Sequence, residues 1–331
     1  MRRIITFCTL SVVLYVIVFA GLIDRPLSLG LLRLEMMQKT ARLAALPSPT
    51  LVILAGSNGP YSHSCAVIGA MLNMPCENAG IAVGIGLDDL FTRYAPLLHR
   101  GDVLYMPMEL QQYTATRAQY RAGADGEFLV RHDRWVLAQL PPDRILGAVF
   151  CCNLGDFLES LAEMPLAHAG VIDPQHLLAS EYNSQGDRID NSLAEADPAL
   201  LRHSPRPEPS TSEIANSYGT ALITRFVAQE AARKVVVIGG LPTDFASAVI
   251  TTPEINAVAA IYTANGGSFA LLPNHSLYPA ADFFNSEDHL AQPCQYRHSI
   301  AIAYALGHLL NRPVQPAVAA ITRLAATCPA G

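Results

Sequence analysis

The stretch Leu51-Val52-Ile53-Leu54-Ala55-Gly56-Ser57-Asn58-Gly59 carries an apolar, β-branched run that ends abruptly in Gly-Ser-Asn-Gly. A continuous apolar run of this length suits a parallel strand buried on both faces. In such a sheet, ligands and nucleophiles sit just beyond the carboxyl ends of the strands. The run therefore predicts a strand with Ser57 at its edge, flanked by glycines that allow a tight turn and close backbone approach. An ordinary strand-to-loop turn has the same local signature, so the rest of the chain must decide between the two.

Similar runs recur at 102–106, 234–238 and 268–272, each short and rich in Val, Ile, Leu or Phe. Helical patterns lie between them, at 88–99, 213–233 (behind Ser-Thr-Ser capping candidates), 253–265 and 295–310. Strands alternating with helices predict an α/β domain over residues 50–312, built on a doubly wound parallel sheet. Ahead of it, within a membrane-proximal linker at 26–49, residues 29–45 read as an amphipathic helix. Residues 313–331 read as a C-terminal tail. The proline-punctuated segment at about 183–212 breaks the rhythm and predicts a polar surface insertion, either a lid or a plain loop.

A chain of 331 residues has room for one large α/β domain or two small ones. Its formal net charge is −6, with no basic cluster beyond Arg2-Arg3, which argues against a nucleic-acid surface. Residues 4–22 carry no charge and follow Met-Arg-Arg. That length suffices to cross a bilayer, and the paired arginines favour a cytoplasmic N-terminus. Residues 1–25 thus read as a signal anchor, with Val18-Phe19-Ala20 as the cleavage site of an alternative signal peptide. No second span is evident, so the remainder is expected in the periplasm or another extracytoplasmic space. Six of the seven cysteines then lie where disulfides form. Their spacing fits no zinc pattern, no cofactor is expected, and the separation of Cys65 and Cys76 permits a pair.

A serine nucleophile needs an adjacent base and an oxyanion site. Among ten histidines, His289 stands out: it lies in a polar turn between the last strand and the C-terminal helix, on the side of the sheet to which Ser57 points. His63 reads as lining the entrance at the start of a helix. His275 sits in a Pro-Asn-His-Ser turn that could face the cleft, while His298 and His308 read as surface or packing residues on a helix. Ser62 and Ser64 compete with Ser57 but lack the strand-edge position. The glycine cluster Asn78-Ala79-Gly80-Ile81-Ala82-Val83-Gly84-Ile85-Gly86 lacks the Gly-x-Gly-x-x-Gly spacing of a dinucleotide site. Its other reading is a loop that presents the Gly80 N–H beside Ser57, as an oxyanion hole requires.

Taken in order, four blocks resemble the SGNH (GDSL-like) hydrolases, and more narrowly the membrane-anchored SGNH-like proteins of cell-envelope and exopolysaccharide acylation. The blocks are Gly56-Ser57-Asn58-Gly59, Asn78-Ala79-Gly80, the strand-then-Glu segment from Gly101 to Tyr113, and Phe283-Phe284-Asn285-Ser286-Glu287-Asp288-His289-Leu290. The resemblance covers about residues 50–310. It implies Ser57 as nucleophile, His289 as general base, and oxyanion donors at the backbone of Ser57 or Asn58 and of Gly80. Two positions depart from the family. Glu109 or Gln111 stands where typical members carry an Asn, which leaves Glu109 to bind substrate or cap a helix. Ser286 stands where they carry the triad Asp, with Asn285, Glu287 and Asp288 as substitutes. The implied activity is that of an esterase or O-acyltransferase acting, through an acyl-serine, on acyl (acetyl) groups of an envelope or secreted polysaccharide. Its implied partners are an acyl-donating membrane protein and the polysaccharide synthase. The alternative is an inactive SGNH-fold scaffold or carbohydrate-binding subunit.

Overall fold

A computed structural model describes residues 1–121, 123–197 and 209–329. Five strands form one parallel sheet: β1 (Leu51–Ile53), β2 (Cys76–Asn78), β3 (Val103–Met106), β4 (Val236–Gly240) and β5 (Ser268–Ala270). Their order is β2-β1-β3-β4-β5. Ile53 lies opposite both Asn78 and Tyr105, so the central strands end nearly level.

Alternate residues of each strand enter different cores, as the pleat demands. Val52, Leu104 and Val237 pack into one core with helices α2 (Leu29–Ala45), α5 (Leu87–Tyr94), α8 (Tyr218–Ala232) and α9 (Thr252–Thr263). Leu51, Ile53, Tyr105 and Ile238 pack into the other, beneath α4 (Cys65–Leu72) and α10 (Gln292–Leu309). Helices thus cover both faces. The chain runs left from β1 to β2 across one face and then right across the other, so its direction reverses between β1 and β3.

The sequence expectations for β1, β3, β4, β5 and α2 agree with this frame to within a few residues. The segment 213–233 is not one helix: Ser217 ends Thr211–Asn216 and caps α8, its hydroxyl accepting from Thr220 N at 3.0 Å. Edge strand β2 was not anticipated. Its sequence, Cys-Glu-Asn, has no apolar run, because its central Glu77 is held by Arg42 at 2.9 Å.

Of the expected polar surface insertion, residues 183–197 are mostly exposed or partly exposed, and residues 198–208 lie outside the described residues. Asp187 and Asn191 are buried. Asp187 accepts from Cys65 N (2.7 Å), Ala66 N (3.0 Å) and Ser64 Oγ (2.9 Å), so it sits on the first turn of α4 where the exposed amides favour an anion. This segment is an internal brace for the turn that follows β1. Disulfides join Cys65 to Cys76, Cys294 to Cys328 and the neighbours Cys151 and Cys152, while Cys8 is free on the first helix.

Candidate active site

Loops from the carboxyl ends of four adjacent strands meet at one place: Gly80 after β2, Ser57 after β1, Glu109 after β3 and Thr243 after β4. It spans the point where the winding direction reverses, the usual site of a ligand crevice in an open α/β sheet.

Ser57 is partly exposed and caps the short helix α3 (Asn58–Ser62), its carbonyl accepting from Tyr61 N at 3.2 Å. Residues four apart share a helix face, so Tyr61 projects on the same side as Ser57. The Tyr61 ring stacks on the His289 ring with centroids 3.8 Å apart and planes inclined by 8°. Serine and imidazole are therefore attached to the same side of one helical turn. His289 Nδ1 lies 2.6 Å from Asn285 Oδ1. The amide oxygen only accepts, so Nδ1 carries a proton, which in the neutral ring puts the lone pair on Nε2, the arrangement a general base requires.

Of the candidates for the third member, Asn285 is the one that holds the ring nitrogen a triad acid would hold. The Asp288 backbone oxygen instead receives Ser62 Oγ at 2.8 Å and Thr243 Oγ1 at 3.2 Å, which pins the His289 loop to α3. Replacing Asn285 with Asp should move the acid limb of the pH–rate profile upward by about one unit, because a carboxylate favours imidazolium. An unchanged profile would show that Asn285 does not address the base.

Glu109 is fully buried, and its two carboxylate oxygens accept from Gly56 N (2.8 Å) and Asn58 N (2.7 Å). Of the two readings of Glu109, the helix cap is the one seen: it is the N-cap residue of Leu110–Thr114, its N–H donating to Gln112 Oε1 at 3.1 Å, and its buried carboxylate braces the turn after β1. The backbone N–H of Asn58, the donor expected for an oxyanion, is taken by Glu109; its side-chain Nδ2 donates to Pro107 O at 3.0 Å and its Oδ1 accepts from Thr243. The N–H groups of Ser57 and Gly80 remain, and neither has a hydrogen-bond partner among the described residues. Buried Gly80 is the more telling, since an unpaired interior N–H is uncommon. We expect Glu109→Gln to destabilise the fold by about 2 kcal/mol, because an amide offers one acceptor where two charge-assisted bonds stood. A urea midpoint equal to wild type would refute the brace.

Gly80 cannot be replaced. A Cβ there would lie 2.7 Å from Gly56 O and 2.8 Å from Pro60 Cδ. A glycine needs outside constraint, and Ala79 N, Ile81 N and the Gly80 carbonyl supply it: the amides bond to Ile53 O and Ala55 O, and the carbonyl accepts from Lys39 Nζ at 2.5 Å. Lys39 is fully buried on α2, 2.6 Å from Glu35 Oε1. Its replacement by Met in a Glu35→Leu background, where no charge is stranded, should lower kcat about tenfold with KM little changed. Equal losses in both constants would point to substrate binding instead.

Several histidine expectations also change. His63 is wholly buried at the end of α3 and does not line an entrance, and His298 is a core residue with no surface role. Tyr278 OH lies 2.8 Å from His298 Nδ1, His298 Nε2 lies 3.2 Å from His63 Nε2, and His63 Nδ1 lies 3.2 Å from Asn58 O. Since a carbonyl only accepts, His63 Nδ1 bears its proton, His298 donates to His63, and Tyr278 donates to His298. The chain ends on the peptide beside Ser57. Ser62 and Ser64 are buried and fully engaged, which removes them as nucleophiles. His275 lines a small cavity with Leu110, Leu241 and Asp244.

Burial lowers the His63 pKa to about 4, and that of His298 also falls well below its ordinary value. Between pH 6.5 and 4 the unfolded chain therefore binds protons that the native protein refuses. Stability is intact above pH 6.5 and declines as pH falls, by about 2 kcal/mol at pH 5 for His63. Glu77, raised to about 7 chiefly by burial, acts with the opposite sign. Comparison with His63→Gln isolates the histidine: the variant should lose about 2 kcal/mol less than wild type between pH 7.5 and 5 in urea melts. Parallel losses would contradict this.

Tyr61, Thr243, Asp187 and Lys39 escaped the sequence reading. Tyr61 had a usable signal, an aromatic four residues after the serine; Lys39 is one of only two lysines in the chain, placed on a helix that reads as amphipathic. No family model matches the chain, and neither a curated protein nor a solved structure does.

Proposed function

We propose that this chain is an SGNH-type serine esterase or O-acyltransferase, with its strand order and two-sided helix cover forming the doubly wound SGNH frame. The observation that carries the proposal is the joint attachment of Ser57 and His289 to α3, with Asn285 fixing the imidazole tautomer and two unpartnered N–H groups at the same turn. Ser57 Oγ attacks the acyl carbonyl while its proton passes to His289 Nε2. The carbonyl oxygen, now an anion, is received by Ser57 N–H and Gly80 N–H. Collapse of the adduct breaks the ester C–O bond, and the alkoxide leaves with the proton from His289. A water or an acceptor hydroxyl then attacks the acyl-serine by the reverse sequence.

The resemblance to acylation-system proteins supports an acetylated envelope or secreted polysaccharide as substrate, with an acyl-donating membrane protein and the polysaccharide synthase as partners. One helix, Arg2–Phe19, is long and apolar enough to cross a membrane, and none of its residues is buried in the protein. With Arg2-Arg3 at its start, it supports an inner-membrane anchor and an extracytoplasmic domain. The test is labelling of the full chain with a fluorophosphonate, followed by peptide mass mapping. One adduct on the peptide containing Ser57 is expected. No adduct would favour the non-catalytic scaffold, and an adduct on another serine would move the nucleophile.

A further inference from the structure

Seven large apolar side chains outside the first helix are exposed within one short stretch of chain, from Leu146 to Val171. Five lie on helices α6 (Pro142–Val149) and α7 (Leu154–His168), which meet at an angle of 65°, and Phe150 and Val171 lie just past their ends. Helix α7 is two-faced. Asp156, Glu159, Ser160 and Glu163 follow one side at helical spacing and bind the segment that leaves the first helix: Asp156 and Glu159 pair with Arg25 at 3.0 and 2.7 Å, Ser160 Oγ accepts from Asp24 N, and Glu163 accepts from Leu27 N. On the opposite side Leu154, Leu158 and Leu161 are 55–66% exposed.

The loop between α6 and α7 is tied to the first helix itself. Tyr15 donates its hydroxyl to Cys152 O at 2.7 Å and stacks on Phe150 at 5.4 Å, and Phe19 meets Phe157 at 6.2 Å. The uncharged helical run from Ile4 to Gly21 rises about 27 Å at about 1.5 Å per residue, no more than the thickness of the hydrocarbon layer. Lifting Tyr15 clear of the bilayer would leave too short a span. Whatever touches Tyr15 is therefore drawn to the membrane boundary.

We infer that α6 and α7 form a monotopic membrane element whose leucine face lies in the lipid headgroup and upper acyl region beside the anchor. The occupant of this face is the bilayer: the patch is continuous with the anchor, and its polar side is already satisfied by residues 24–27. A one-sided apolar helix of this kind lies in the interface plane. The inference rests on the anchor reading but is independent of the catalytic one.

The test uses the full chain in phosphatidylcholine/phosphatidylglycerol vesicles. Trp135, the single tryptophan, is replaced by Phe, which keeps a ring near Arg93, and Leu158→Trp or Leu161→Trp is introduced. Lipids brominated along the acyl chain should quench either reporter by about twofold, whereas Val249→Trp, on a distant exposed loop, should be unaffected. Absent quenching at both positions, while the chain resists alkaline carbonate extraction, would overturn the inference and leave the anchor standing. A blue-shifted but unquenched reporter would identify a protein partner on this face and also overturn it. Release by carbonate would remove the anchor reading and this inference together, with fluorophosphonate labelling unaffected.

Discussion

Ser57→Ala should reduce ester turnover by about a thousandfold or more, measured as acetate release from p-nitrophenyl acetate, while the urea midpoint stays within about 0.5 kcal/mol of wild type. The size of the effect follows from losing the covalent route: without Oγ there is no acyl-enzyme, and only binding and oxyanion donors remain to assist direct attack by water. The small stability change follows from the position. Ser57 is partly exposed, and its side chain does not cap α3. The turn is held by Glu109 through Gly56 N and Asn58 N, neither of which needs the hydroxyl. Undiminished turnover in the variant would remove Ser57 from the mechanism whatever the fold.

His289→Ala should cost a comparable factor, and the double variant Ser57→Ala/His289→Ala should be no slower than the worse single one. Groups that act as a unit do not add, since removing either disables the same proton transfer. His275→Ala, which alters a neighbouring cavity, is expected to retain turnover within about threefold. Losses at His275 that exceed those at His289 would relocate the base. His289→Ala also removes the ring stacked on Tyr61, so stability should be followed alongside; an aromatic contact of this sort contributes about 1 kcal/mol, far too little to mimic a thousandfold loss of rate in folded protein.

The central strands were legible because burial on both faces forces uninterrupted apolar runs, and the strand-to-turn boundary at Gly56 follows from the same constraint. The edge strand escaped because one face of Glu77 answers to Arg42, so no hydrophobic signal is needed there. In the candidate site, Ser57, Gly80 and His289 were legible as candidates from their places at loop edges, and Asn285 only as one substitute among those the family resemblance offers. What Asn58 and Glu109 do was not, since each role is set by a partner about fifty residues away. The leucines of α7 were masked for a similar reason: acids that serve Arg25 alternate with them and dilute the apolar pattern. The burial of His63, read as lining an entrance, and the choice of packing over surface for His298 were not legible because their partners are one another, across 235 positions.

The proposed base comes late in the chain, and its loop leads directly into α10, whose first turn is clamped by Cys294 to Cys328 near the C-terminus. On the proposed extracytoplasmic reading, the turn carrying Ser57 would emerge during export more than two hundred residues ahead of the His289 imidazole. A partly exported chain would hold an inert serine, so catalytic competence would arise only once the tail had crossed and the final crosslink had closed. The order of emergence would thus act as a safeguard against premature ester chemistry at the export site.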